Sequence, residues 1–261
     1  MHDIKNWMTT SFLKLNPNKT MIKLFTPGKT TVTSFKVNVD LNMSITPSVT
    51  VGVLGVELSS NMNFSEFISK KIRLCNFYLR NLKNIKHCLP QQTRILLVNM
   101  LILSISTLDY CNALLLCLPD YKIQLLQKVM NKAVRFILNI RYREHIRPFL
   151  HQLHFLPVKF RIKFKACLIA FKMVNRVSPQ YLTEKVELFT PNPMLNLRPG
   201  VGRDEKTIIV SLKQQKKNTI YTKIILEWNN LPQKIRRNTD LAKFKSELKT
   251  HFFEAAFMDL L

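Results

Sequence analysis

The side chains that could bind a metal or act as nucleophiles are few and scattered. His151 and His154 are close enough in sequence to share a zinc ion, and Cys111 and Cys117 could complete such a site. No His-Glu-x-x-His string, closely spaced cysteine pair or adjacent acid accompanies them. We therefore expect exposed or half-buried histidines in a basic region, and no metal site.

A cysteine nucleophile has equally little support. Cys111 follows Asp109 by two residues, but it lies in an apolar stretch, where thiols are usually inert packing. The five cysteines are odd in number, and the first ten residues lack the basic-then-apolar pattern of a signal peptide. These features favour a reducing compartment, so we expect a nuclear or cytoplasmic protein that is not secreted.

Carboxylates at polymerase spacing are absent from the sequence. Nucleotidyl transfer uses two metal ions held by paired carboxylates. This chain contains no Asp-Asp dipeptide, and its 16 acids are dispersed. We expect no catalytic residue in this chain and no cofactor bound by it.

Positive charge is the strongest signal in the composition. The 261 residues include 40 Lys and Arg against 16 Asp and Glu, a net charge of +24 that attracts polyanions. Between Lys122 and Arg176 the one acid is Glu144. Arg141-Tyr142-Arg143 places an aromatic ring between two guanidinium groups, which suits stacking on an unpaired base. The candidate nucleic-acid-binding residues are Lys128, Lys132, Arg135, Arg141, Tyr142, Arg143, Arg147, Lys159, Arg161, Lys163 and Lys165.

Such a surface predicts RNA, DNA or an RNA–DNA hybrid as partner, held by phosphate contacts with little sequence preference. A solvated basic face without a specific ligand, and an anionic membrane surface, remain alternatives. Ile95 to Leu118 is apolar enough to suggest a membrane span. Asn99, Asp109 and Asn112 interrupt it, which favours a buried core helix and no membrane partner.

The elements that must position these residues change in type along the chain. The spacing predicts an amphipathic helix over Asp3 to Phe12, a turn at Asn16-Pro17-Asn18, and strands over Met21 to Phe25, Thr31 to Val39 and Val49 to Val56. Asn63 and Glu66 form a capping-box-like start for a helix. Its inner face would carry Ile68, Ile72, Cys75, Leu79 and Leu82, and its outer face Lys70, Lys71, Arg73, Arg80 and Lys83.

Further helices are predicted from Pro90 through the apolar stretch, and after Pro119-Asp120. Val158 to Lys165 alternates strictly between apolar and basic residues, as in a strand. The apolar pattern continues to Val174 at helical spacing, so we favour a helix there. Residues 187–214 contain prolines and glycines typical of a linker, and Thr239 is the expected cap of a final helix that buries Leu241, Phe244 and Leu248.

Seven strings resemble, in order and in rough spacing, the C-terminal part of reverse transcriptases of LINE-type, jockey-like non-LTR retrotransposons. The order along the chain is WMTTSFLKLNPNKT from Trp7, LGVELSSNMNFSEFI from Leu54, LDYCNALL from Leu108, LPDYKIQLLQ from Leu118, LHFLPVKFRIKFK from Leu153, WNNLPQKIR and FKSELKTHFF. The resemblance covers almost the whole chain. Any one string is a weak signal, but seven in the correct order rarely arise by chance.

The resemblance implies a fold that is mainly α with a small N-terminal α+β part: remnant palm strands followed by a helical, thumb-like bundle. It implies the end of the palm at 1–59, a basic thumb-like domain at 60–186, and a loop-rich linker with a C-terminal helical extension at 187–261. Lys19 matches a family lysine near the incoming nucleotide, and Leu54 and Gly55 match the primer-grip hairpin. The family's catalytic aspartates, with the Mg²⁺ that they imply for the intact enzyme, would lie before Met1.

Departures from the family pattern affect the functional reading. Ser59 stands where the family has aspartate, Phe67 where it has histidine, and the run from Leu103 to Leu108 is about two residues longer than usual. Two extra residues in a helix rotate the downstream residues by roughly 200°. The leading interpretation is a fragment of an RNA-directed DNA polymerase that binds nucleic acid without polymerising alone. The alternatives are a host-retained, non-catalytic module for nucleic-acid binding or protein interaction, and a chain that lacks too many strands to fold stably.

Overall fold

The computed structural model is mostly helical, with two small antiparallel sheets near the N-terminus among the residues described. The predicted mainly α fold with a small N-terminal α+β part is therefore confirmed. The chain divides into two compact units, Met1–Ser69 and Lys70–Leu261. The functional division at 59/60 and 186/187 stays a prediction. The structure describes residues 2–14, 16, 19–25, 36–40, 43–103, 108–184, 186–188, 206–209, 219–258 and 260.

The first unit contains helix α1 (His2–Thr10), which ends two residues before the predicted Phe12, and two β-hairpins. Strands β1 (Val37–Asp40) and β2 (Met43–Ile45) form one sheet, and β3 (Thr50–Val53) and β4 (Val56–Ser59) form the other. Gly55 lies in the turn of the second hairpin with a φ of 78°, a conformation that glycine adopts without steric cost.

Three strand predictions in this unit need correction. Val49 to Val56 is not one strand, because the chain reverses direction at Leu54 and Gly55 between β3 and β4. Met21 to Phe25 forms no strand, although the amide of Ser48 donates to the carbonyl of Ile22 at 2.8 Å. The strand predicted over Thr31 to Val39 begins at Val37 in the described part. Residues 31–35 of that prediction lie outside the described residues, as do Pro17 and Asn18 of the predicted turn.

Helix α2 (Ser65–Asn84) starts close to the predicted cap but in a different register. The Asn63 side chain accepts from the amide of Ser65 at 2.9 Å, and Phe64 lies between them with a φ of 54°. This is an Asx-type turn two residues before the helix rather than a capping box with Glu66. The predicted inner face is confirmed at four positions, which are almost fully buried: Ile68, Cys75, Leu79 and Leu82.

The apolar stretch is not one helix, which corrects the prediction. It is divided into helix α3 (Gln91–Val98), a π turn (Asn99–Leu103) and a 3-10 helix (Asn112–Cys117). Cys111 has a left-handed φ of 51° just before the 3-10 helix. Residues 104–107, within the run that is longer than the family's, lie outside the described part of the chain.

Helix α4 (Asp120–Leu138) begins at the predicted position and buries Val129, Met130 and Ala133. Helix α5 (Arg147–Gln152) follows, and then α6 (Val158–Val174), so the ambiguous alternating segment is helical as we favoured. The side chain of Gln127 on α4 accepts from the amide of Val158 at 2.8 Å, which satisfies an orphan donor in the first turn of α6.

The C-terminal part contains α7 (Gln180–Thr183), α8 (Ile220–Asn229), α9 (Gln233–Arg236) and α10 (Leu241–Phe257). The cap of α10 is Asp240, whose carboxylate accepts from the amide of Lys243 at 2.7 Å; the prediction of Thr239 is wrong. The burial of Phe244 and Leu248 is confirmed.

A continuous apolar core joins α6, α8 and α10. The ring of Phe244 stacks on Phe171 at 4.4 Å between centroids and lies 5.8 Å from Trp228. The predicted linker enters this core, since Ile208 is 1% exposed and exchanges two hydrogen bonds with the Asn229 side chain. An exposed linker is therefore a wrong description of Thr207 and Ile208, which are buried. Residues 189–205 and 210–214 lie outside the described residues.

Candidate nucleic-acid interface

The charge on α2 and α4 is distributed unevenly along each helix. Each helix has one acid in its first turn, Glu66 in α2 and Asp120 in α4. The helix dipole stabilises a carboxylate at that position. All later charged residues of both helices are Lys or Arg. Lys128, Lys132 and Arg135 follow at i, i+4 and i+7 on α4, so they lie on one face, away from the buried Val129, Met130 and Ala133.

One cation of α4 reaches α2 in the second unit, and a lysine just after α2 reaches the residue that ends α4. The Lys132 ammonium donates to the Asn76 side chain at 3.4 Å, and the Lys86 ammonium donates to the Asn139 side chain at 2.5 Å. Asn76 shares its face of α2 with Arg73, Arg80 and Lys83, at positions i−3, i+4 and i+7. We call this set the α2–α4 cationic surface; it consists of Arg73, Arg80, Lys83, Lys128 and Lys132.

The partners that join this surface leave its charge intact. An asparagine amide oxygen accepts a hydrogen bond from an ammonium group without neutralising it. Within the described part of the chain, no carboxylate pairs with any of the five cations. Burial lowers the pKa of Lys86, and the neighbouring charges of Arg94 and Lys83 lower it further. The surface is therefore a concentration of positive charge that an anion would relieve.

Arg135 of α4 holds the Arg141-Tyr142-Arg143 loop through hydrogen bonds. Arg135 donates to the backbone carbonyls of Tyr142 and Glu144, at 3.1 and 3.0 Å, and its guanidinium lies 5.4 Å from the Tyr142 ring centroid. The Glu144 carboxylate accepts from the amide of Arg141 at 3.0 Å. Tyr142 remains 88% exposed, and Arg141 and Arg143 are also exposed. Arg135 thus shapes the loop, and the exposed ring remains able to stack.

The alternating basic residues of α6 do not form one cationic face. Two residues along a helix correspond to about 200°, so successive members point to different sides. Lys159 pairs with Asp120 at 3.2 Å, and Lys163 pairs with Glu227 at 3.0 Å. The strand alternative would have put these cations on one face, and the helix that we favoured separates them.

Arg161 makes hydrogen bonds to two partners in the fold, Asp109 and Leu103. Its guanidinium makes two hydrogen bonds to the Asp109 carboxylate, at 2.8 and 2.5 Å. It also donates to the carbonyl of Leu103 at 3.1 Å. Phosphate would have to displace this pair, so the geometry favours a structural role for Arg161.

Two other predicted binding residues occupy different surroundings. The Arg147 guanidinium donates to the carbonyl of Ala256 at 2.7 Å, near the C-terminal end of α10, where cations are favoured. Lys165 lines a cavity of about 420 Å³ together with Lys172, Lys245 and Cys111. Neither residue lies on α2 or α4, and their assignment to nucleic-acid binding stays a prediction.

The residues assigned by resemblance lie in the first unit. Lys19 is exposed, and its backbone amide donates to the carbonyl of Asn16 at 3.2 Å. Leu54 and Gly55 form the two-residue turn between β3 and β4, both with positive φ, as in a type I′ hairpin. Leu54 is 86% exposed at the tip. The hairpin turn that the resemblance implies is present, and its primer-grip role stays a prediction.

The prediction that Lys71 faces outward is wrong. This residue is 6% exposed and donates from its ammonium to the carbonyl of Tyr110 at 2.9 Å. Burial lowers the pKa of Lys71 to about 8, and the neighbouring Cys75, Cys111 and Asp109 oppose that shift. Its contact with Tyr110 lies beside the left-handed Cys111, so Lys71 helps to fix the break in the apolar stretch.

Three cations of the α2–α4 cationic surface were not among the predicted binding residues. Arg73, Arg80 and Lys83 were placed on an outward helical face but not among the candidate binding residues. Helical spacing was the available signal. That spacing could not show that α4 lies next to this face, because Asn76 and Lys132 are 56 residues apart in sequence.

No metal site emerges from the described residues. The His151 and His154 rings lie 6.5 Å apart and pack against Phe253, at 5.1 and 5.4 Å. No group of three or more His, Cys, Asp or Glu in this part of the chain could hold a metal ion. The described residues therefore do not fit the Mg²⁺ site that the resemblance implies for the intact enzyme.

Across the described residues, every helix is too short or too polar to span a bilayer. Comparisons with protein-family models, curated proteins and solved structures find no match to this chain.

Proposed function

We propose that this chain binds nucleic acid through phosphate contacts on the α2–α4 cationic surface and does not polymerise by itself. The observation that carries the proposal is a set of five exposed cations on two helices, α2 and α4, which are linked by the hydrogen bond from Lys132 to the neutral Asn76 side chain. Lysine and arginine in this arrangement neutralise phosphates and release counterions. Such contacts position a strand or duplex without reading its sequence.

We further propose that the chain is the C-terminal region of a LINE-type, jockey-like reverse transcriptase, with a palm remnant followed by a thumb-like helical module. Seven strings in the family order support this origin. The two-residue hairpin turn at Leu54 and Gly55, in the segment that resembles the primer grip, is consistent with it. A basic helical module after that hairpin suits a grip on template and primer.

The proposed lack of polymerase activity follows from the sequence. Nucleotidyl transfer needs paired carboxylates to hold two metal ions. The chain contains no Asp-Asp dipeptide. In this proposal its contribution is to hold the nucleic acid, and RNA, DNA and a hybrid are all accepted because each presents a phosphate backbone.

The test is the anisotropy of a fluorescent RNA–DNA hybrid titrated with the full chain across a salt series. We expect submicromolar binding at ~50 mM salt that weakens several hundred-fold by ~200 mM. The Lys128→Ala/Lys132→Ala double variant should weaken binding and flatten the plot of log Kd against log salt. Each lost phosphate contact should reduce that slope by about 0.7 to 0.9.

Lys249→Ala is the matched control, because Lys249 is an exposed lysine on α10, outside the α2–α4 cationic surface. Its slope should equal that of the unmodified chain. Weak, salt-insensitive binding by the unmodified chain would reject the proposed function. An equal loss in the control and the double variant would reject the assignment of the surface.

A further inference from the structure

The outward face of α2 combines apolar and cationic side chains. Leu74 and Phe77 are 41% and 54% exposed, although Cys75, Leu79 and Leu82 on the same helix are buried. The exposed stripe follows helical spacing and consists of Lys70, Arg73, Leu74, Phe77, Arg80, Asn81 and Asn84. The Phe77 ring is therefore presented to solvent rather than to the core.

Cations flank this ring along the helix. Arg73 precedes Phe77 by four residues and Arg80 follows it by three, so both lie within about 6 Å of it between Cβ atoms. Both arginines belong to the α2–α4 cationic surface, and Glu66 is the one acid of α2. The nearest aromatic neighbour is Tyr78, 5.8 Å away between ring centroids. An apolar ring with arginines on both sides complements a ligand that joins a flat apolar group to anions.

We propose that Phe77, with Leu74 beside it, is a stacking site for an unpaired nucleobase, and that Arg73 and Arg80 hold the flanking phosphates. This proposal rests on the proposed function, because it requires nucleic acid on the α2–α4 cationic surface. Aromatic rings beside a positively charged track hold single strands without sequence preference, since every base presents a π face. RNA and DNA single strands share this chemistry.

The small size of the apolar patch favours a base over a protein partner. A stable protein–protein interface buries upwards of about 1,000 Å² with a well-packed apolar centre. Two partly exposed side chains fall far short of such a centre. A single ring is enough for one base. The site therefore predicts preference for a single strand, or a single-stranded overhang, over a blunt duplex.

The test compares Phe77→Leu and Phe77→Trp in the full chain, by anisotropy with labelled single-stranded RNA, single-stranded DNA and blunt duplex. Phe77→Leu keeps apolar bulk but removes the π face. It should weaken binding to both single strands at least about 5-fold, with an unchanged salt slope, and leave duplex affinity within about 2-fold. Phe77→Trp should retain single-strand affinity, and its added fluorescence should be quenched on binding.

Other outcomes would overturn the stacking site in distinguishable ways. Unchanged single-strand affinity in Phe77→Leu, with steep salt dependence retained, would remove the site, keep the phosphate grip, and leave Leu74 and Phe77 to a protein contact. Equal weakening for single strands and duplex would make Phe77 a general contact without stacking. Absence of salt-dependent binding by the unmodified chain would reject the proposed function itself. Thermal unfolding checks that Phe77→Leu is folded, and Phe77→Trp keeps the test decisive if it is not.

Discussion

The Arg161 guanidinium holds the Asp109 carboxylate through two hydrogen bonds, from Nε to Oδ1 at 2.8 Å and from Nη2 to Oδ2 at 2.5 Å. The two side chains are 20% and 16% exposed, and Arg161 also donates to the carbonyl of Leu103. Arg161 therefore ties α6 to Leu103, at the end of the π turn, and to Asp109, just before the 3-10 helix. These contacts lie where the apolar stretch is interrupted between the π turn and the 3-10 helix.

Removing one partner should leave a shielded charge without its counter-ion. We expect Arg161→Ala to lower the free energy of unfolding by on the order of 2 to 4 kcal/mol, measured by urea denaturation. Lys159→Ala is the control, because its pair with Asp120 is 54% and 69% exposed and should contribute less than about 1 kcal/mol. Equal effects of the two substitutions would contradict a structural role for Arg161.

Lys71 should make stability depend on pH in a defined direction. Its pKa is about 8 in the folded chain against an ordinary 10.5, because burial disfavours the ammonium ion. Between these two pH values the unfolded chain binds more protons, so the free energy of unfolding rises with pH. Below about pH 8 both states are protonated, and the full penalty, on the order of 3 kcal/mol, is present.

Lys71→Met removes this titration, so the comparison with the unmodified chain isolates it from other groups. The difference in unfolding free energy, unmodified minus variant, should rise between about pH 8 and pH 10.5. Urea denaturation at intervals of one pH unit measures it. A difference that stays flat over this window would mean that Lys71 keeps an ordinary pKa in the folded chain.

Asp240 should stabilise α10 as its N-cap. Its carboxylate accepts from the amide of Lys243, one of the orphan donors in the first helical turn. Asp240→Ala should cost about 1 kcal/mol of stability, whereas Asp240→Asn should retain most of the effect. The matched control is Thr239→Ala, which should change stability by less than about 0.5 kcal/mol. A larger loss from Thr239→Ala than from Asp240→Ala would restore Thr239 as the cap.

The five cysteines should react with iodoacetamide in an order set by burial. Cys88 and Cys111 are exposed, so the expectation that Cys111 is inert packing is wrong; Cys75 and Cys167 are buried. Burial raises the pKa of Cys75 to about 12 and also raises the pKa of Cys117 and Cys167, so their thiolates are scarce at pH 8. Mass spectrometry should show Cys88 and Cys111 labelled first, and Cys75 and Cys167 only after unfolding. Rapid native labelling of Cys75 would contradict this packing.

Periodicity in the sequence was enough to predict much of the secondary structure. The acid-led start of α4 and the continuous apolar pattern of α6 depend on neighbours within a few residues. The same local rules predicted the buried faces of α2 and α10. These features follow from spacing, which a single chain displays without knowledge of its tertiary contacts.

The sequence pattern gave a wrong prediction for the apolar stretch, where polar groups distant in sequence contact the backbone and side chains. The apolar stretch contains enough hydrophobic residues for one helix. Its polar residues instead have partners far along the chain: Arg161 for Asp109, and Lys71 for the carbonyl of Tyr110. These contacts span 52 and 39 residues, and buried polar groups must be paired when the chain folds. No periodicity contains that information.

The sequence by itself determined that the chain is basic, mainly helical and without an Asp-Asp dipeptide. Tertiary structure decided which cations remain unpaired with acids and so able to bind an anion. Lys159, Arg161 and Lys163 pair with acids outside their own basic run. Lys132 instead meets the neutral Asn76, which leaves its charge intact. Charge count is a property of composition, but its cancellation depends on distances of a few ångströms between residues far apart in sequence.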